Sequence, residues 1–270
     1  MLGVWASACD RNPQPTSTPP TAAHARLAEL VALLAPIEEV VTSDKSDARF
    51  IRAQELLGEL RNGDRSVGLA ALEVLRREEE HRPVEVERGL LDVASHAAPE
   101  DARPLLESLV LQYGPSLSLR TEALLCLAET SPQRAIEIVQ PLITRTRASQ
   151  TLPPAEFLVS AWVTACEKTG RSPVKELADV ATNLFQEEAA RIRATKELGR
   201  HKEPLAQQAL SAILIESTGD GYLRRMAAQG LRDTLPRETA CSTFQRVAER
   251  EADMNFAKFL ADLLEKNCAP

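Results

Sequence analysis

Residues 119–127 read LRTEALLCL and residues 223–231 read LRRMAAQGL. Both open on Leu-Arg, place Ala four positions after the Leu, and place Leu eight positions after it. Positions four and eight apart share one face of an α-helix. Each stretch is therefore read as a helix with one apolar stripe, and the small residue at its middle lets a neighbouring helix come close. A third stretch, VGLAALEVL (67–75), keeps the stripe as Val67, Ala71 and Leu75, with Gly68 where the other two have arginine. Each follows another amphipathic segment and a short turn, as in ARFIRAQELLGELRNGDRS, DARPLLESLVLQYGPSLS and EPLAQQALSAILIESTGDGY. The unit that recurs is a pair of antiparallel helices.

The rest of the chain agrees with helices throughout. Of 270 residues, 44% are hydrophobic but only 4% aromatic, so the core must be built from Leu, Ala and Val. Leu and Ala lose little freedom in a helix. The β-branched groups Val40-Val41-Thr42 and Ile213-Leu214-Ile215 are too brief for a sheet. Proline stands where helices should begin, at Pro83, Pro99, Pro115, Pro132, Pro154, Pro173 and Pro236. Ser131-Pro132 and Ser172-Pro173 add a capping hydroxyl. Gly63, Gly114, Gly170 and Gly219 follow apolar-periodic segments, where a helix closes. These marks predict helices over 22–35, 46–61, 65–79, 83–97, 100–113, 116–129, 132–148, 154–168, 173–200, 203–217, 220–233, 236–249 and 250–266, in one folded domain over 23–270.

On these residues the chain resembles the HEAT-repeat family, whose pattern is an apolar helix, a turn often holding Asp, then Val-Arg-x-x-Ala-x-x-x-Leu. Leu119-Arg120-x-x-Ala123-x-x-x-Leu127 fits it, and Leu223-Arg224-x-x-Ala227-x-x-x-Leu231 fits it with Asp220 in the turn. The resemblance implies an all-α superhelix, a HEAT-like solenoid of antiparallel hairpins. It makes Arg120, Asp220 and Arg224 structural, because in the family the turn Asp and the helix Arg bond between neighbouring repeats. It also places partner docking on the second helix of each hairpin, here 65–79, 116–129 and 220–233. The three copies start 52 and 104 residues apart, yet RSPVKELAD near Arg171 does not fit a 52-residue period. Irregular repeats with extra helices are the expectation.

No residue set carries a reaction. The net charge of -7 argues against a phosphate backbone as ligand. The four histidines and five cysteines make no CxxC, no HExxH and no mixed metal-ligand spacing, so no metal or cofactor is expected. Gly-rich phosphate loops and GxSxG are missing. Arg193, Lys196 and Arg200 share a helical face, readable as a site for an acidic partner or as a solvated face balanced by Glu187, Glu188 and Glu197. Trp162 in FLVSAWVTA reads as core, as do Cys126 and Cys166. Cys241 opens one predicted helix and Cys268 follows the next, so a hairpin would bring them together as a disulfide in an oxidising compartment, or as two thiols otherwise.

The N-terminus gives an address. Ala6-Ser7-Ala8-Cys9 resembles a bacterial lipobox, which implies lipid on Cys9 and a mature chain that begins there. Residues 10–22, with Pro13, Pro15, Pro19 and Pro20 among Ser, Thr and Asn, form a disordered tether that spans roughly 40 Å when extended. Only eight residues precede Cys9, with no Lys or Arg, while an export signal needs a basic start and an apolar run. The expectation is therefore that 1–9 is the tail of a signal whose start lies upstream of Met1. The functional reading is a non-enzymatic scaffold that binds protein, anchored through Cys9 and facing the periplasm or exterior. The alternatives are a cytosolic adaptor without lipid and, third, a lyase-type or glycosylase-type enzyme on a helical-repeat frame.

Overall fold

The computed structural model describes residues 22–35, 48–77, 82–111, 116–143, 153–216 and 221–268. Cys9, the tether up to residue 21 and Asp220 lie outside them. The described residues hold fourteen α-helices and no strand: α1 (Ala22–Leu34), α2 (Ala48–Arg61), α3 (Arg65–Arg76), α4 (Val84–Ala97), α5 (Pro99–Leu111), α6 (Leu117–Thr130), α7 (Pro132–Ile143), α8 (Ala155–Thr169), α9 (Val174–Thr182), α10 (Glu188–Leu198), α11 (Pro204–Glu216), α12 (Gly221–Thr234), α13 (Arg237–Ala248) and α14 (Met254–Cys268).

Proline sets several of the starts. Helices α5, α7 and α11 begin on Pro99, Pro132 and Pro204, while Pro83, Pro154 and Pro236 stand one residue ahead of α4, α8 and α13 in the extended conformation, with ψ near 140°. The fixed φ of proline suits both positions. The two serine caps are partly diverted. Ser131 Oγ is buried without a partner among the described residues, and Ser172 Oγ donates 2.8 Å to Glu203. Gly170 closes α8 with a φ of 69°. The predicted helix over 173–200 is two helices. Asn183 Oδ1 accepts the Phe185 amide at 3.0 Å, a local bond that competes with the helical ladder and separates α9 from α10.

The helices pair in order, α1 with α2 through α13 with α14, and the pairs stack. Even-numbered helices form one continuous layer, in which α2 packs on α4, α4 on α6, α6 on α8, α8 on α10, α10 on α12 and α12 on α14. Odd-numbered helices form the other layer. The result is an all-α, solenoid-like stack in which each hairpin covers its apolar face only against the next.

The even layer reveals the true period. Its leading core residues are Val86, Leu119, Leu158, Ala190, Leu223 and Phe256, all buried, at spacings of 33, 39, 32, 33 and 33. Four residues on stand Leu90, Ala123, Trp162, Ala194, Ala227 and Leu260, all fully buried. The 52-residue spacing between the first two sequence copies has no structural meaning. VGLAALEVL lies in α3, an odd helix, so 65–79 does not belong to the layer expected to dock a partner. Gly68 stands there because α3 meets the turn between α4 and α5. A Cβ on Gly68 would lie 2.5 Å from Ala98 Cβ and 2.6 Å from Ala98 N.

The last hairpin carries a covalent link. Cys241 and Cys268 are joined, with Cα atoms 5.8 Å apart and a sequence separation of 27. A loop of that size stabilises the fold by about 3.5 kcal/mol in the chain-entropy treatment.

Two glycines test the packing. Gly68→Ala is expected to cost about 1–3 kcal/mol in urea unfolding, because backbone rather than a movable side chain blocks the methyl. Gly58→Ala, in α2 with open space around the added methyl, is expected to gain about 0.5–1 kcal/mol from helix propensity.

Candidate functional site

A helix ends with carbonyls that have no partner within it. In this chain, side chains from beyond five of the odd helices take one of them. Arg82 Nη2 donates to the Val74 carbonyl of α3 at 2.9 Å, Arg120 Nη2 to Val110 of α5 at 3.3 Å, and Gln186 Nε2 to Ile143 of α7 at 3.4 Å. Arg191 Nε donates to Ala181 of α9 at 3.3 Å and Arg224 Nε to Leu214 of α11 at 3.1 Å. Arg120, Arg191 and Arg224 occupy one register position of the even layer and are all buried. A guanidinium at the negative end of the helix also meets a favourable dipole.

Arg224 has an acidic partner among the described residues. Glu251, in the connection between α13 and α14, forms an ion pair with Arg224, and Phe256 lies beneath that guanidinium at 4.0 Å. The Arg224 hydrogen bond holds the Glu251 carboxyl below the usual glutamate range. Asp220 lies outside the described residues. Arg191 escaped the sequence pattern because Ala190, not Leu or Val, leads its copy, although Ala190-Arg191-x-x-Ala194-x-x-x-Leu198 carries the rest of it. Arg82 and Gln186 sit in connections, where no periodicity marks them.

The basic face of α10 is closed by its own acid. Glu197 is almost fully buried, 3.3 Å from Arg193 and 2.7 Å from Arg200. Trp162 is core, donating Nε1–H to the Pro173 carbonyl at 3.3 Å. Cys126 and Cys166 are buried free thiols, and burial pushes Cys166 up to about 11, far from a reactive thiolate.

A polar cleft lies on the even layer, where α2, α4 and α6 meet the end of α1. It encloses about 390 Å³, and its lining mixes Leu34, Phe50 and Leu57 with Gln54, Glu85, Arg88, Asp92 and Glu122. Arg88 grips Glu122 Oε2 with Nε at 3.0 Å and Nη2 at 2.9 Å. Below it, Arg61 of α2 reaches Asp92 of α4 at 3.5 Å and Glu129 of α6 at 3.3 Å. His96 stands between them. Its Nδ1 is 2.9 Å from the Asp92 carbonyl and 3.2 Å from Asp92 Oδ1, and its Nε2 is 3.0 Å from Glu129 Oε2. These contacts, Asp92 foremost, raise the His96 pKa.

Asp92, Glu122 and Cys126 also bring three ligand atoms within 4.8 Å of one another. The carboxylates are already met by Arg61, His96 and Arg88, and burial, the largest cause, pushes the Cys126 thiol far up. A metal there would have to displace a guanidinium and take a thiol proton, so the set reads as a neutralised ion-pair network.

No protein-family model, no curated protein and no solved structure matches the chain.

The network predicts a pH response. Because the His96 pKa is raised on folding, its contribution is fully present below the unfolded value, about 6.5, and is lost as pH rises through the folded value. Urea unfolding of the wild type is expected to lose stability over that range, whereas His96→Gln loses the pH dependence and shows no fall of its own.

Proposed function

We propose that the chain is a HEAT-repeat protein-interaction scaffold, held to a bacterial envelope membrane by lipid on Cys9. The observation that supports the repeat reading best is the arginine at one register of three of the hairpins, Arg120, Arg191 and Arg224, each reaching back ten residues to the last turn of the helix before it. Such a stack exposes a long surface for the length of chain spent, the usual advantage of solenoids for binding protein. The even layer, α4, α6, α8, α10 and α12, is the face we assign to the partner.

The envelope assignment rests on Ala6-Ser7-Ala8-Cys9 and the proline-rich residues after it. No helix among the described residues is long and apolar enough to cross a membrane, so lipid on Cys9 would be the attachment. The Cys241–Cys268 link fits an oxidising compartment. Without lipid, the same stack reads as a cytosolic adaptor.

Two labels test the proposal. Metabolic incorporation of an alkyne fatty acid, with the gene expressed together with its upstream sequence, is expected to label the wild type and not Cys9→Ala. Equal labelling of both contradicts the anchor. A photocrosslinking side chain at Lys196 of α10 is expected to capture partner protein, and one at Lys175 of α9 is not. The reverse pattern contradicts the assigned face.

A further inference from the structure

The last two hairpins meet around a second cavity, of about 340 Å³. It lies where α11 and α13 end and α12 and α14 begin, on the edge of the stack that carries the connections from odd helices to even ones. Three cations and one acid line it, Arg224, Arg246 and Arg250 with Glu251. Arg224 and Glu251 neutralise each other. Arg246 and Arg250 are exposed, and among the described residues neither has an ion pair or a side-chain hydrogen bond. The other acids of the connection are engaged elsewhere. Glu249 accepts from Gln245 Nε2 at 3.3 Å, and Asp253 Oδ1 accepts the Asn255 amide at 2.8 Å. The helix dipole accounts for Arg246, in the last turn of α13, and not for Arg250, which lies beyond it. In a chain of net charge -7, where arginines such as Arg65 and Arg88 grip carboxylates, this cavity keeps two positive charges unanswered.

The rest of the lining is hydrocarbon, supplied by Ile215, Val247 and Ala252, and Ile215 is 54% exposed. The Cys241–Cys268 link closes the hairpin that supplies most of this lining, so the site is held in shape before a ligand arrives. A ligand that answers such a lining carries a carboxylate and an aliphatic group a few bonds apart. The guanidinium fork matches the two oxygens of a carboxylate. A phosphoryl group answers the charge and leaves Ile215 and Val247 bare. A glutamate side chain has only its own methylenes to lay against them. The C-terminal residue of a protein carries a carboxylate and an aliphatic side chain on one carbon atom. The volume lies at the small end of ligand pockets, about 300–1,000 Å³, the scale of one such residue.

We propose that this cavity receives the C-terminal residue of a partner protein, an aliphatic one, with its carboxylate on Arg246 and Arg250 and its side chain against Ile215, Val247 and Ala252. The site lies on an edge of the stack, so it adds a partner contact that does not depend on the even layer.

The probe is acetyl-Ala-Ala-Leu with a free carboxylate, titrated into the full chain labelled with nitrogen-15. One control is the same peptide with an amidated C-terminus. The other is acetyl-Ala-Glu-Leu amide, which keeps the leucine and moves the carboxylate to a side chain. The free acid is expected to shift the amides of Arg250 and Ala252 with a Kd of about 1 mM, at least tenfold tighter than either control, and to weaken as salt rises. Arg246→Gln and Arg250→Gln are each expected to weaken the free acid about threefold, and the double variant to remove its preference over the amide. Both side chains are exposed, so these changes spare the fold. Ile215→Ser is expected to weaken the acid and the amide alike. Equal affinity for acid and amide, a glutamate peptide as tight as the free acid, an unchanged preference in the double variant, or shifts only elsewhere would overturn the site. Crosslinking from Lys196 reads the even layer separately, so failure of one claim is told apart from failure of the other.

Discussion

The structure depends on how the ends of its odd helices are satisfied. Each of α3, α5, α7, α9 and α11 has a carbonyl in its last turn that accepts a hydrogen bond from a side chain later in the chain, four times an arginine and once Gln186. Such a bond to a charged donor is worth about 1.5–3 kcal/mol, and an unpaired buried carbonyl costs about as much. The arginines of α6, α10 and α12 do this from inside the apolar stack. They fix where each even helix must start relative to the odd helix before it, so one bond sets the geometry of the whole hairpin.

Once the hairpins have that geometry, the even helices fall into a ladder of period about 33. The small residues Ala123, Ala194 and Ala227 recur at its centre, and Trp162 fills the same place in α8, where the spacing stretches to 39. At the C-terminal end the packing becomes lighter and other links take over. Arg224 meets Glu251 and Phe256, Arg225 lies 5.5 Å over Phe259, and Cys241 is joined to Cys268. At the N-terminal end, the crossing ion pairs of Arg61, Arg88, His96 and Glu129 tie α2, α4 and α6 together and shape the cleft that holds Glu85.

Helix class and most helix boundaries were readable from the chain because proline and periodicity act locally, the break between α9 and α10 at Asn183 being the exception. The period was not. The register holds Val86, Leu90 and Ala94 in α4, Leu158, Trp162 and Cys166 in α8, and Phe256, Leu260 and Leu264 in α14, and in α10 it opens on Ala190, so four of the six copies lack the expected residue types although they bury the same face. VGLAALEVL showed the converse, a matching pattern in the wrong layer, because an Ala-centred stripe also suits an odd helix packed on a turn. The cleft was not readable at all. The ion pairs that join its helices lie 31 to 68 positions apart, and only the stacking of hairpins brings them together. Glu251 was hidden for a related reason, since any of the 39 acids could have met Arg224.

Hydrogen exchange of Arg191→Met tests most directly whether these end contacts hold the stack together. Arg191 has no acidic partner among the described residues, so methionine keeps the apolar stem and leaves no orphan carboxylate. Faster exchange confined to α9, α10 and the hairpins packed on them, with α1 to α5 unchanged, is the predicted result. Protection equal to the wild type throughout, or a uniform loss across all hairpins, would contradict the account.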